Sequence, residues 1–252
     1  MSRAVLLVLL LGTVRADGAE LPPGELVQRA LDHMIFRGRG AEMSLRLELR
    51  SRGGEVRQRT LFIKSRKVEG ASRTLVRVLA PSDVAGTAFL FVERKGGEAE
   101  QHMYLPALKV TRRIAGDQKR ASFMGSDFSY ADLEWSDLDG AACRHQPGEK
   151  IGPHACQVID CEPRKQDAYR KVRVFVRKSD RAPLRLQFFE GAGISKVLFV
   201  KELRAVDGWL VATALRMTDA KSGHTTDLLI SDLRARDDLP PSDFTPQALR
   251  QR

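Results

Sequence analysis

Apolar and polar residues alternate with a period of two along most of this chain. Met43, Leu45, Leu47 and Leu49 interleave with Ser44, Arg46, Glu48 and Arg50, the pattern of a strand with one buried and one wet face. Val172, Val174 and Val176 do the same, as do Leu184, Leu186 and Phe188, and then Val211, Thr213, Leu215 and Met217. Further strand-like segments, bounded by Gly, Pro or Asp, lie near 56–64, 73–79, 87–93, 101–105, 109–114, 136–145, 154–162, 196–204 and 225–233. About a dozen such segments predict a mainly β (α+β) chain of about ten or eleven strands. Hairpin spacing makes them antiparallel, because parallel neighbours need crossovers of a dozen or more residues. So wide a sheet must close into a barrel or curl around something.

The alternation breaks twice. After Pro22 and Pro23, Leu26, Ala30, Leu31, Met34 and Ile35 recur at helical spacing until Gly38 and Gly40, which predicts one amphipathic N-terminal helix. In mid-chain, SFMGSDFSYADL (Ser122 to Leu133) is broken by Gly and Ser yet carries Phe123, Met124, Phe128 and Tyr130. Apolar groups on a loop need a core, a partner or a ligand to cover. The nearby Asp127, Asp132 and Glu134 read as capping and solvating groups at the start of a helix.

Residues 1–16, MSRAVLLVLLLGTVRA, read as an export signal cut before Asp17. The apolar run from Ala4 to Leu11 is too short to span a membrane, and no Cys follows the cut to carry a lipid anchor. The expected location is the periplasm. The chain carries 42 Lys+Arg against 32 Asp+Glu, net +10. Export argues against nucleic acid and points the positive charge at anionic lipid, lipopolysaccharide or an acidic partner. Arg164, Lys165, Arg170, Lys171, Arg173, Arg177 and Lys178 read as a solvated outer face. With no linker, repeat or low-complexity tract, residues 17–252 read as a single domain.

Candidate chemistry is sparse. A hairpin between 136–145 and 154–162 that turns over residues 146–153 places Cys143 opposite Cys156 and His145 opposite His154, all on one face. In an oxidising compartment this square reads as a Cys143–Cys156 disulfide beside two surface histidines, with Cys161 a rival partner for Cys143; a Cys2His2 zinc site is the competing reading. Gly125-Ser126-Asp127 lacks the second Gly of a nucleophile elbow, and no phosphate-cradling loop occurs. No catalytic residue, metal or cofactor is assigned. The wide aliphatic face offers more area than one helix covers, so part of it is expected to enclose a ligand.

The stretch Met103 to Leu133, with Tyr104-Leu105-Pro106, Arg112-Arg113-Ile114 and Phe123-Met124-Gly125-Ser126-Asp127-Phe128, resembles the outer-membrane lipoprotein-sorting proteins of the LolA-like family. That resemblance implies an unclosed, strongly curved antiparallel β half-barrel over an N-terminal helix and a central helix/loop lid. It implies a non-enzymatic, monomeric carrier of lipid or acylated lipoprotein, loaded by an inner-membrane exporter, with transient membrane contact and no cofactor. Phe123, Met124, Phe128, Tyr130 and Leu133 become lid residues. Met43, Leu45, Leu47, Leu49, Val174, Leu186, Phe188, Val211 and Leu215, chosen by alternation, become the acyl-binding wall. A sensor module that recognises lipoproteins and signals to a membrane partner is the alternative on the same fold.

Overall fold

The structure, a computed structural model, describes residues 21–34, 40–166 and 168–251. The expected export signal at residues 1–16 lies outside the described residues, as do Ile35 and Gly38 of the expected helix. Helix α1 (Pro23–Leu31) starts on a proline, whose missing N–H is no loss in a first turn, and buries Leu26, Val27, Ala30 and Leu31. Met34, just beyond it, is also buried.

Six strands follow: β1 (Ala41–Arg50), β2 (Val56–Val68), β3 (Ala71–Ala80), β4 (Ala88–Arg94), β5 (Glu100–Leu105) and β6 (Val110–Ile114). Seven more close the chain: β7 (Ala142–Ile151), β8 (His154–Glu162), β9 (Lys171–Arg177), β10 (Pro183–Glu190), β11 (Gly193–Val206), β12 (Trp209–Asp219) and β13 (Thr225–Ala235). All thirteen form one antiparallel sheet, more than the ten or eleven expected. The short β5 and β6 persist as strands because each has a ladder partner along its length.

The order across the sheet is β6-β5-β4-β3-β2-β1-β13-β12-β11-β10-β9-β8-β7. It is two meanders joined where β1 pairs with β13, with Leu47 opposite Leu228. The free edges are therefore β6 and β7, and residues 115–141, which connect them, cross the concave side. They do so in three short 3-10 helices, Gly116–Arg120, Ala131–Leu133 and Ser136–Leu138, around a small hairpin. Ser136, expected to open a strand, lies in the last of these turns, and β7 begins at Ala142. No β6–β7 ladder closes the barrel. The β8–β9 loop instead clasps the β4–β5 turn: Arg164 donates to the carbonyls of Gly96 and Gly97 at 3.0 and 3.2 Å, and Lys165 pairs with Glu98 at 3.1 Å.

The cysteine pairing differs from expectation. Cys143 is bonded to Cys161, not Cys156, which is free and buried. The reason is register. Residues 146–151, expected as a loop, continue β7 through a bulge between Gln146 and Glu149, and the chain turns only at Gly152-Pro153. Cys143 then faces Cys161, Cys156 faces Glu149, and His145 faces Ile159, so the Cys–His square does not form. Cys161 points into the main core, while Cys156 joins Val158, Phe175 and Leu184 on the outer face, as five residues of strand separation require.

An element that alternation did not reveal covers the outer face of β2–β5. The C-terminal residues 236–251 lay Leu239, Phe244 and Leu249 over Leu75, Leu90 and Val92. Strand cations pin the tail: Arg66 donates to the Leu239 carbonyl, Arg73 to that of Phe244 at 3.1 Å, and Lys64 pairs with Asp243 at 2.8 Å. Other strand cations pair across the ladder, as in the two-pronged Arg173–Asp160 contact at 2.6 and 2.9 Å. Among the described residues no helix is long and apolar enough to cross a membrane.

Phe244 is fully buried, so Phe244→Ala should lower unfolding free energy by about 3–5 kcal/mol in urea titration; a loss below about 1 kcal/mol would show that the tail lies outside the cooperative unit. Non-reducing peptide mapping after alkylation should find Cys143 linked to Cys161 and label on Cys156 alone.

Candidate functional site

Inward residues of the sheet form an apolar trough, and two covers share it. Helix α1 packs against β7, β8 and β9, and Gln28 Nε2 donates to the Leu138 carbonyl at 2.9 Å. Residues 122–135 cover the β1–β5 side. Their hairpin is closed by Phe123 N–H donating to the Phe128 carbonyl at 2.7 Å and Ser126 N–H to the Phe123 carbonyl at 3.0 Å. Its two central residues, Met124 and Gly125, have φ of 56° and 77°, the paired left-handed conformation of a type I′ turn. The turn is tight enough to drive both Phe123 and Phe128 inward, where they are 5% and 4% exposed.

Phe123 meets Phe89 with ring centroids 5.0 Å apart and Tyr130 at 5.7 Å, both edge-on, and Phe91 completes the cluster at 6.4 Å. The Tyr130 hydroxyl reaches Met103 Sδ at 3.8 Å. Beneath the hairpin remains a cavity of only about 30 Å³, lined by Leu45, Leu47, Leu61, Ile63, Val76, Phe91, Phe123, Phe128, Leu133 and Leu228. That is room for about one water. The covering segment therefore fills nearly all of the trough on this side.

Of the expected site residues, Leu45, Leu47, Phe123, Phe128 and Leu133 line this cavity. Phe188 lines a second void of about 40 Å³ beside Tyr169 and Asp132. Met43, Tyr130, Val174, Leu186 and Leu215 are buried in the same core without lining either cavity, and Leu49, Met124 and Val211 pack half-buried against it. Leu61, Ile63, Val76, Phe91 and Leu228 were not selected, although their alternation in β2, β3, β4 and β13 carries the same signal.

Asp132 caps the short turn at Ala131–Leu133, exchanging bonds with Ser129 at 2.7 and 3.3 Å, but the loop carboxylates are drawn into the fold and not left in solvent. Asp127 Oδ2 accepts from Thr226 Oγ1 at 2.7 Å, and Thr226 Oγ1 also accepts from Asp127 N–H at 2.9 Å. Asp132 accepts from Lys196 Nζ at 2.8 Å and from the Tyr169 hydroxyl at 2.6 Å. Glu134 accepts from Lys119 Nζ at 2.6 Å and Gln101 Nε2 at 2.5 Å, and Trp135 N–H donates to Glu93 at 3.1 Å. Four strands, β13, β11, β5 and β4, thus hold the cover by polar ties. Burial pushes the Asp127 and Glu134 carboxyls above their usual range, against the opposing pull of Thr226 and Lys119, and pushes the Tyr169 phenol far up. Among the described residues no cluster of three or more His, Cys, Asp or Glu has metal-holding geometry.

A raised carboxyl favours the covered form when protonated, so Asp127 contributes fully below its ordinary value of 3.8 and loses that contribution as the pH rises through the raised one. Asp127→Asn keeps an acceptor for Thr226 and removes the desolvated charge. Hydrogen exchange, corrected for intrinsic rates, should show residues 122–130 at least as protected as wild type at pH 7, with a flatter pH dependence. Faster exchange at pH 7 would show that the carboxylate's charge helps hold the cover.

A protein-family model described as "-like: Uncharacterized protein" matches residues 70–251. Among solved structures, one described as an outer membrane lipoprotein-sorting protein domain, from Vibrio parahaemolyticus, is 29% identical with a TM-score of 0.83, over 91% of this chain and 98% of that one. A DUF1329 family protein from Desulfovibrio piger is 25% identical with a TM-score of 0.83, over 90% and 97%. A LolA superfamily protein from Nitrosomonas europaea shares the fold at 18% identity and a TM-score of 0.72, over 89% and 98%. No curated protein matches the sequence.

Proposed function

The chain belongs to the LolA-like family, and from that premise we propose that it is a periplasmic carrier that shelters the acyl chains of a lipid or lipoprotein in the trough between sheet and cover. In this reading residues 1–16 direct export and residues 17–252 fold as one half-barrel domain. The carrier takes its cargo from an inner-membrane exporter and releases it toward the outer membrane. The acyl-binding set is the wall of Met43, Leu45, Leu47, Leu49, Val174, Leu186, Phe188, Val211 and Leu215 with the cover residues Phe123, Met124, Phe128, Tyr130 and Leu133.

One observation carries the reading: on the β1–β5 side the apolar trough is filled by side chains of the segment that connects β6 to β7. Exposing four such side chains costs roughly 8 kcal/mol at about 2 kcal/mol each. An acyl chain of about fifteen methylenes recovers ~12 kcal/mol at about 0.8 kcal/mol each. Exchange of segment for lipid is therefore affordable in free energy, and it needs no chemical step.

Loading the delipidated protein with a long-chain phospholipid should speed amide exchange across residues 122–135 while β1 and β2 stay protected. Lipid bound stoichiometrically with the 122–135 amides still protected would place the cargo elsewhere and sink the exchange mechanism.

A further inference from the structure

The cover is also a template for what replaces it. Asp132 is 4% exposed, and both its oxygens are engaged: Oδ1 by the Tyr169 hydroxyl at 2.6 Å, Oδ2 by Lys196 Nζ at 2.8 Å and by the Ser129 N–H at 2.7 Å. Ser129 travels with the cover, whereas Lys196 and Tyr169 belong to the wall. Lys196 stands on β11 with its side chain 14% exposed, and the Tyr169 ring rests on Phe188 at 4.9 Å.

The void of about 40 Å³ lies against Asp132, Tyr169 and Phe188, and Lys196 reaches it only through its contact with Asp132. Its wall side carries Lys165, Tyr169, Val172 and Phe188; its cover side carries Asp132 and Trp135, whose buried indole N–H has no partner among the described residues. The surface that stays is basic and apolar, and the surface that leaves is acidic and apolar. Departure of Asp132 would take from Lys196 its contact at 2.8 Å and leave Asp219, opposite it on β12, as its neighbouring carboxylate, and loss of a close counter-charge from a partly buried ammonium is costly. An anion held by the same two donors removes that cost.

We propose that Lys196 and Tyr169 form a headgroup subsite, held by the Asp132 carboxylate in the covered form and by the anionic phosphate headgroup of a lipid in the loaded form. This rests on the carrier reading above and narrows its cargo to anionic lipids. A lipid without such a headgroup would bury its chains but not replace the close contact that Asp132 makes with Lys196. An anionic one exchanges phosphate for carboxylate on the same donors, so the ion pair that holds the cover shut also selects what opens it.

The test compares three probes on the delipidated full chain: phosphatidylglycerol, diacylglycerol with the same acyl chains, and inorganic phosphate. Phosphatidylglycerol should bind about ten- to a hundredfold more tightly than diacylglycerol, the scale of a charge-assisted contact. Lys196→Gln should remove most of that preference while leaving diacylglycerol affinity in place, Lys196→Arg should retain it, and Tyr169→Phe should reduce it. Equal binding of the two lipids by wild type, or a preference that Lys196→Gln leaves intact, overturns the headgroup assignment and leaves the carrier standing. Phosphate binding as tightly as phosphatidylglycerol would make this a site for the free ion and overturn the lipid assignment. If neither lipid binds, the carrier reading falls and this inference with it.

Discussion

The two free edges of the sheet are the two ends of one connecting segment. Because β1 pairs with β13, β6 and β7 are left as the outermost strands, and residues 115–141 must run between them. A curled sheet joined this way has its opening spanned by its own chain. The clasp of Arg164 and Lys165 on the β4–β5 turn brings the halves together without a ladder, so the trough is enclosed but not sealed. Since α1 is only nine residues long and lies against β7–β9, the β1–β5 side depends on the connecting segment for its cover.

That segment is held by two kinds of force with different consequences. Burial of Phe123, Phe128 and Tyr130 is non-directional, and another apolar group of similar volume can replace it. The ties from Asp127, Asp132 and Glu134 are directional, and breaking one side of a buried pair costs far more than the pair contributes when whole. The polar ties therefore set the register of the cover more than its net stability.

The wall opposite the cover is packed from behind. The C-terminal tail buries the outer residues of β3 and β4, so every residue from Ala88 to Val92 is buried, with Phe89 and Phe91 facing the trough and Leu90 and Val92 facing the tail. Much of the chain's positive charge is used locally: Lys64, Arg66 and Arg73 on the tail, Arg173 on Asp160, and Arg216 on Asp227 at 2.6 Å. Arg173, read from the sequence as part of a solvated outer face, is partly buried in its pair with Asp160. Lys196 is different, since it serves the interior.

By itself the sequence determined the local order. Period-two alternation located most strands, though fewer than the thirteen present and with β7 displaced, helical spacing located α1, and a Gly-broken run of aromatics marked the segment that would cover something, because these signals depend only on which neighbours face the same way. The odd spacing of Cys156 and Cys161 correctly put them on opposite faces for the same reason. Only tertiary structure decided what required distance. A single bulge in β7 moved the partner of Cys143 from Cys156 to Cys161; the tail's layer was hidden in a stretch with no period; and Asp132, a cap as read, is also buried against Lys196, which only β11 brings beside it. Strand pairing is a sum over the whole chain, and side chains 64 residues apart meet only when that sum is complete.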